Sequence, residues 1–91
     1  MDYEWDDAKA VANIAKHGIA FVDAIEAFGG PMLVRASPRA EEPRKVALRL
    51  CRGLIVAIIF VERGERIRLI SVRRARTHER EAWHDRFAQG S

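Results

Sequence analysis

The chain has 91 residues, 48% of them hydrophobic and 32% charged, with a formal net charge of +3. A chain this short builds one small core, and this composition is that of a folded domain rather than an extended disordered one. No apolar run approaches the roughly 20 residues that cross a bilayer, and the lone Cys51 cannot form an internal disulfide, so a membrane protein, a disulfide scaffold and a multidomain enzyme are excluded. The acidic opening residues lack the basic start of a secretory signal, and a cytoplasmic setting is expected.

Tyr3 to Trp5 predicts a short strand. Asp6 or Asp7 offers an N-cap for a helix over Ala8 to Lys16. There Ala8, Val11, Ala12 and Ala15 follow the i, i+3, i+4, i+7 spacing of one buried face. Lys16 and His17 fall in its last turn, and Gly18 can close it in the left-handed conformation. A second helix is predicted from Phe21 to Phe28, stopped by Gly29, Gly30 and Pro31.

The hydrophobic period then changes from 3.6 to 2. Met32 to Arg35 predicts a strand and Ala36 to Pro43 an exposed loop. From Arg44 to Cys51, Lys45, Ala47, Arg49 and Cys51 share one side and Arg44, Val46, Leu48 and Leu50 the other. Arg52-Gly53 supplies a turn. Leu54 to Val61 is apolar on both sides, as suits a central strand covered on both faces. After a turn at Glu62 to Glu65, a strand from Arg66 sets Ile67, Leu69, Ser71 and Arg73 against Arg68, Ile70, Val72 and Arg74. Thr77 is the expected N-cap of a last helix running to about Phe87. This order predicts an α+β fold over residues 1–91 as a single domain. Its sheet is mostly antiparallel, with two N-terminal helices and one C-terminal helix packed on one face and a basic face left open.

The charge is unevenly spread. Residues 1–34 carry two lysines against six carboxylates, net −4, whereas residues 35–91 carry fourteen basic residues against seven acidic ones, net +7. Thirteen of the sixteen basic residues are arginine, whose planar fork suits bidentate phosphate binding. A polyanionic partner and an ordinary solvated basic surface both fit this pattern. No metal is expected: there is no cysteine pair or HExxH, and His78 and His84 point to different sides of a helix. The arginines either pair with Glu62, Glu65 or Glu79 or form an anion site. Cleaving RNA needs little more than such a site, because the 2′-hydroxyl supplies the nucleophile. Lys45, Arg63, Arg73, Arg74, His78 and Glu79 stand at strand ends and one helix start, where a shared site is expected.

The stretch YEWDDAKAVANIAKHGIAF, from Tyr3 to Phe21, resembles the start of the BrnT toxins, and RIRLISVRRARTHEREAW, from Arg66 to Trp83, resembles that family's Ile-Ser-x-Arg-x-Ala strand and Glu-Arg helix. The resemblance implies a RelE-like fold and a metal-independent ribonuclease that arrests translation without a cofactor. It also implies a BrnA-type ribbon-helix-helix antitoxin through which the complex binds operator DNA. By position, Arg73, Glu79, Arg80, Lys16-His17-Gly18, Arg44 and Gly53 match the family pattern. Gly29-Gly30-Pro31 replaces a common Asp-Pro turn, and Trp83 stands where tyrosine is expected, though Trp can stack on a base. The expected enzyme uses Arg73 as main phosphate stabiliser, with Lys45, Arg63 and Arg74 in support and His78 or Glu79 moving protons. Arg44, Arg52, Arg74, His17 and Trp83 are the expected RNA contacts. The alternative is a non-catalytic nucleic-acid-binding or corepressor module acting only with its antitoxin.

Overall fold

The computed structural model describes residues 2–26, 32–36 and 43–87. The predicted helix end at Phe28, the stop at Gly29, Gly30 and Pro31, and the loop residues 37–42 lie outside them. Eight elements follow in the predicted order: β1 (Asp2–Glu4), α1 (Asp7–His17), α2 (Phe21–Glu26), β2 (Leu33–Ala36), β3 (Arg44–Cys51), β4 (Leu54–Arg63), β5 (Arg66–Arg74) and α3 (Thr77–Phe87).

Local chemistry sets the limits of α1. The Asp6 carboxylate accepts the Lys9 N–H at 3.1 Å, and Gly18, at φ +73°, closes the helix by donating its N–H to the Ile14 carbonyl at 2.8 Å. The alanine spacing, however, marks the wrong side. Ala8, Val11, Ala12 and Ala15 are all exposed, Val11 at 69%, and the helix turns Ala10, Asn13 and His17 inward instead. Small side chains bring little apolar area, so hydrogen bonding decides the orientation. The buried Asn13 amide donates to Ile19 and Val72 carbonyls at 2.9 Å each, and its oxygen accepts from Val72 N at 3.1 Å and Ser71 Oγ at 3.2 Å.

The strands form one sheet in the order β1-β5-β4-β3-β2, with β1 parallel to β5 and every other pair antiparallel. Arg52 and Gly53 both take positive φ (52° and 82°) between the paired Cys51 and Leu54, the backbone of a two-residue turn whose twist matches the strands. β3 alternates as predicted, Ala47 and Cys51 packing on one core and Leu48 on another. β5 does not keep its predicted alternation. Ile59 pairs with Ser71 and Phe60 with Leu69, so Ile70 is an extra, bulged residue. The bulge reverses the phase: Ile67, Leu69 and Val72 share one core, and Arg73 passes to the other face.

Those cores lie on opposite sides of the sheet. Phe21 and Ala24 pack with Val56, Ile58, Phe60, Leu69 and Val72, and Trp5 meets Phe21 edge-on at 5.9 Å. Across the sheet, Trp83 packs with Leu48, Ala57 and Ala75. The helices therefore cover both faces, where one was expected. The chain leaves β5 through Ala75, whose N–H donates to the Ile55 carbonyl at 2.9 Å, and Trp83 and Phe87 bind α3 to the far face. No helix among the described residues is long and apolar enough to cross a membrane.

β3 buries a charge that is incompletely partnered among the described residues. Arg49 is 7% exposed, its Nε and Nη1 have no hydrogen-bond partner among the described residues, and burial lowers its pKa against a smaller opposing effect of Cys51. The guanidinium remains protonated all the same. Nearby Asp23 is already bound by Arg52 at 2.9 Å. An apolar side chain of similar length removes the desolvation penalty while keeping the volume. Arg49→Met is therefore expected to hold or raise the urea unfolding midpoint; a lower midpoint would show that the charge stabilises the fold.

Candidate nucleic-acid interface

The corner where β5 becomes α3 is built around one carboxylate. Arg73 sits opposite Ala57, on the face that α3 covers. Its Nη1 donates to Glu79 Oε1 at 2.7 Å and its Nη2 to Oε2 at 3.0 Å, while the Arg76 N–H donates to Oε1 at 2.8 Å. Thr77 is the first helical residue and Arg76 the N-cap, one place earlier than predicted, because Glu79 reaches back three residues to the Arg76 amide. The Glu79 side chain is 8% exposed and that of Arg73 19%. Burial pushes the Glu79 carboxyl up, but the hydrogen bonds from Arg73 and Arg76 and the charges of Arg73 and His78 outweigh it and hold the group below the usual carboxylate range. Glu79 is thus ionised at neutral pH and faces Arg73 as its counter-ion.

Beside this corner a groove of about 880 Å³ runs between α3 and the β3–β4 hairpin. Leu50, Leu54 and Ile55 contribute apolar walls, and Arg74, Arg80, Trp83, His84 and Phe87 complete the lining. The last four occupy one stripe of α3, spaced i, i+3, i+4, i+7. Arg80 is held by donating to the Ala75 carbonyl at 2.6 Å and to Thr77 Oγ1 at 3.2 Å. Trp83 is buried and stacks at a tilt on Phe87, 4.3 Å between ring centres. The groove joins two cations and an imidazole to an aromatic wall, a set that can hold a phosphate, move a proton and flank a base. The sequence reading matched Arg80 to the family pattern without giving it a role and did not single out His84; the stripe they share with Trp83 and Phe87 was the available signal.

The sheet extends the basic surface away from the groove. Arg44 and Arg68 both lie opposite Val61, Arg63 lies opposite Arg66, and Arg35 lies opposite Val46. Strand alternation puts all five arginines on the same face as Arg73 and α3. Arg68 also approaches Glu4 at 3.7 Å. The residues expected to share one site are divided. Arg73, Arg74, His78 and Glu79 gather at one end of β5, with His78 exposed in the first turn of α3. Arg63, at the far end of β4, is seven residues from Val56, the partner of Arg74, a strand distance of about 23 Å. Lys45, opposite the core residue Phe60, lies on the α1–α2 face and is paired with Glu62 at 2.9 Å. His17 ends α1 on that same side, and Arg52 stands at the hairpin turn with Asp23. The described residues contain no group of His, Cys, Asp and Glu suited to a metal ion.

The family model described as "Ribonuclease toxin, BrnT, of type II toxin-antitoxin system" matches residues 5–79. No curated protein matches the chain.

The corner carries a stability prediction. Glu79→Ala leaves Arg73 and the Arg76 amide without their acceptor and is expected to cost about 3 kcal/mol in urea unfolding at pH 7. Because the folded carboxyl titrates below its unfolded value, its contribution is present above about pH 4.3 and is lost as pH falls through the folded value. The wild type should therefore lose stability more steeply in acid than Glu79→Gln, and parallel acid limbs would contradict the pairing.

Proposed function

This chain belongs to the BrnT family of ribonuclease toxins of type II toxin–antitoxin systems, and on that premise we propose that it is a cytoplasmic endoribonuclease. In this reading it cuts RNA without a metal, arrests translation, and is neutralised by a BrnA-type ribbon-helix-helix antitoxin through which the pair binds operator DNA. The observation that carries the proposal is the groove in which Arg74, Arg80, Trp83 and His84 meet at the end of an arginine-bearing sheet face.

The chemistry follows from RNA itself. The 2′-oxygen gives up its proton and attacks the adjacent phosphorus, the phosphorane gathers negative charge, and the 5′-oxygen leaves as it takes up a proton. The products are a 2′,3′-cyclic phosphate and a free 5′-hydroxyl. Arg74 and Arg80 hold the non-bridging oxygens, and His84 moves protons, with His78 the second imidazole on α3. Arg73, neutralised by Glu79, holds the corner in place of meeting the phosphate directly, and Glu79, already ionised, is its counter-ion. Arg44, Arg63, Arg66 and Arg68 guide the strand toward the groove, and Arg52 stands beside its hairpin wall. Lys45 and His17 face the other side and take no part. The antitoxin neutralises the toxin by laying carboxylates over these cations.

Purified protein incubated with RNA in EDTA should leave 2′,3′-cyclic ends. Arg74→Ala, at an exposed position, should slow cleavage about 10²-fold through lost charge stabilisation. His84→Gln should slow it by about 10²- to 10⁴-fold through lost proton transfer. RNA left intact under conditions where an active relative cuts, or cleavage untouched by both substitutions, would sink the proposal.

A further inference from the structure

Among the described residues, the outer edge of β5 has a strand neighbour only at its start, because β1 pairs with Arg66, Ile67 and Arg68. Beyond the bulge at Ile70, Asn13 takes the place of that neighbour. Its side chain donates to the Val72 carbonyl at 2.9 Å and accepts the Val72 N–H at 3.1 Å, the pair of bonds a strand would make. Its oxygen also receives the Ser71 hydroxyl at 3.2 Å, and its second N–H is spent on the Ile19 carbonyl at 2.9 Å. Every hydrogen-bonding position used by the amide points to one arrangement of α1, the bulge and the end of β5.

That arrangement decides the phase of the strand. With the bulge in place Val72 is buried under α1 and α2, Arg73 lies opposite Ala57 and Arg74 opposite Val56. Without it, regular alternation from Leu69 would turn Ser71 and Arg73 into that core and Val72 outward. We infer that Asn13 is a positioning residue: by clamping the Val72 backbone it sets which of two adjacent arginines faces Glu79 and which is left for the groove. Burial of Val72 favours the same phase, and the amide supplies what burial cannot, partners for a backbone pair at a strand edge with no neighbouring strand among the described residues. The effect on cleavage rests on the ribonuclease reading; the effect on strand phase does not.

The test is a double-mutant cycle between Asn13→Ala and Glu79→Gln, read by urea unfolding, with amide exchange of Val72 followed in the same full-length proteins. Asn13 and Glu79 share no hydrogen bond, so a merely local Asn13 gives additive losses. The inference expects the double variant to lose less than the sum, because without the clamp Arg73 no longer faces Glu79 consistently. Val72 exchange should quicken about tenfold, the equivalent of one buried hydrogen bond. RNA cleavage by Asn13→Ala should fall about 10²-fold in kcat from misplaced charge, with KM little changed because the sheet arginines remain. Should Asn13→Ala fail to fold, Ser71→Ala, which loosens the same amide, replaces it in the cycle. Additive losses, or Val72 exchange at the wild-type rate, overturn the inference. Where the wild type shows no cleavage, the cycle and the exchange still decide it.

Discussion

Everything on the far side of the sheet depends on a carboxylate that is nearly out of water. Glu79 would be costly there alone, since removing an ionised group from solvent carries a penalty of several kcal/mol that only close partners offset. Three N–H donors, two from Arg73 and one from the Arg76 backbone, surround it. These bonds join the end of β5 to the first turn of α3, so a connection of only Ala75 and Arg76 suffices to turn the chain back over the sheet. The direction of α3 brings Arg80, Trp83, His84 and Phe87 to the β3–β4 hairpin and so makes the groove. Arg49 is the contrasting case, a buried cation with Nε and Nη1 unpartnered among the described residues while neighbouring Asp23 is engaged by Arg52.

The sequence pattern reads best where burial alone decides. β3 was expected from Arg44 to Cys51 and spans those residues, and β4 is covered on both sides as its unbroken apolar run requires. The Arg52-Gly53 turn follows from two residues flanked by paired strands. It reads worst where a polar group takes over. The alanines of α1 have the right spacing and too little area, and a single asparagine with four hydrogen bonds turns the helix the other way. The β5 bulge leaves no mark in a period-2 pattern until the strand is paired, so the phase of Arg73 and Arg74 could not be assigned. The N-cap of α3 moved by one residue because a side chain three positions on competes to satisfy the helix start. Within the candidate site, Arg73, Arg74, His78 and Glu79 were legible as neighbours because they are close in sequence. Lys45 and Arg63 were misjoined to them because distance along a sheet and choice of face depend on register.

The two faces of the sheet have different electrostatic characters. Arg35, Arg44, Arg63, Arg66, Arg68 and Arg73 share the face of α3, with the stems of Arg44 and Arg68 flanking the buried Val61. The opposite face, under α1 and α2, is apolar through Val56, Ile58 and Phe60 and ends in the Lys45–Glu62 pair. A net charge of +3 thus understates the field met by an approaching polyanion, because Asp6, Asp7, Asp23 and Glu26 stand with α1 and α2 on the other side, and of the six N-terminal carboxylates two, Asp2 and Glu4, lie beside Arg66 and Arg68.

The parallel pairing of β1 with β5 has a consequence for the order in which the protein is completed. Tyr3 finds its strand partner only at Ile67, and Asn13 finds Val72 fifty-nine residues later. The β3–β4 hairpin can close early from local contacts, whereas these long-range closures must wait. During synthesis the first helix leaves the ribosome well before the strand that receives it, and the ion-paired corner follows that strand. The groove beside α3 is therefore assembled only once β5 and α3 have been made, long after α1.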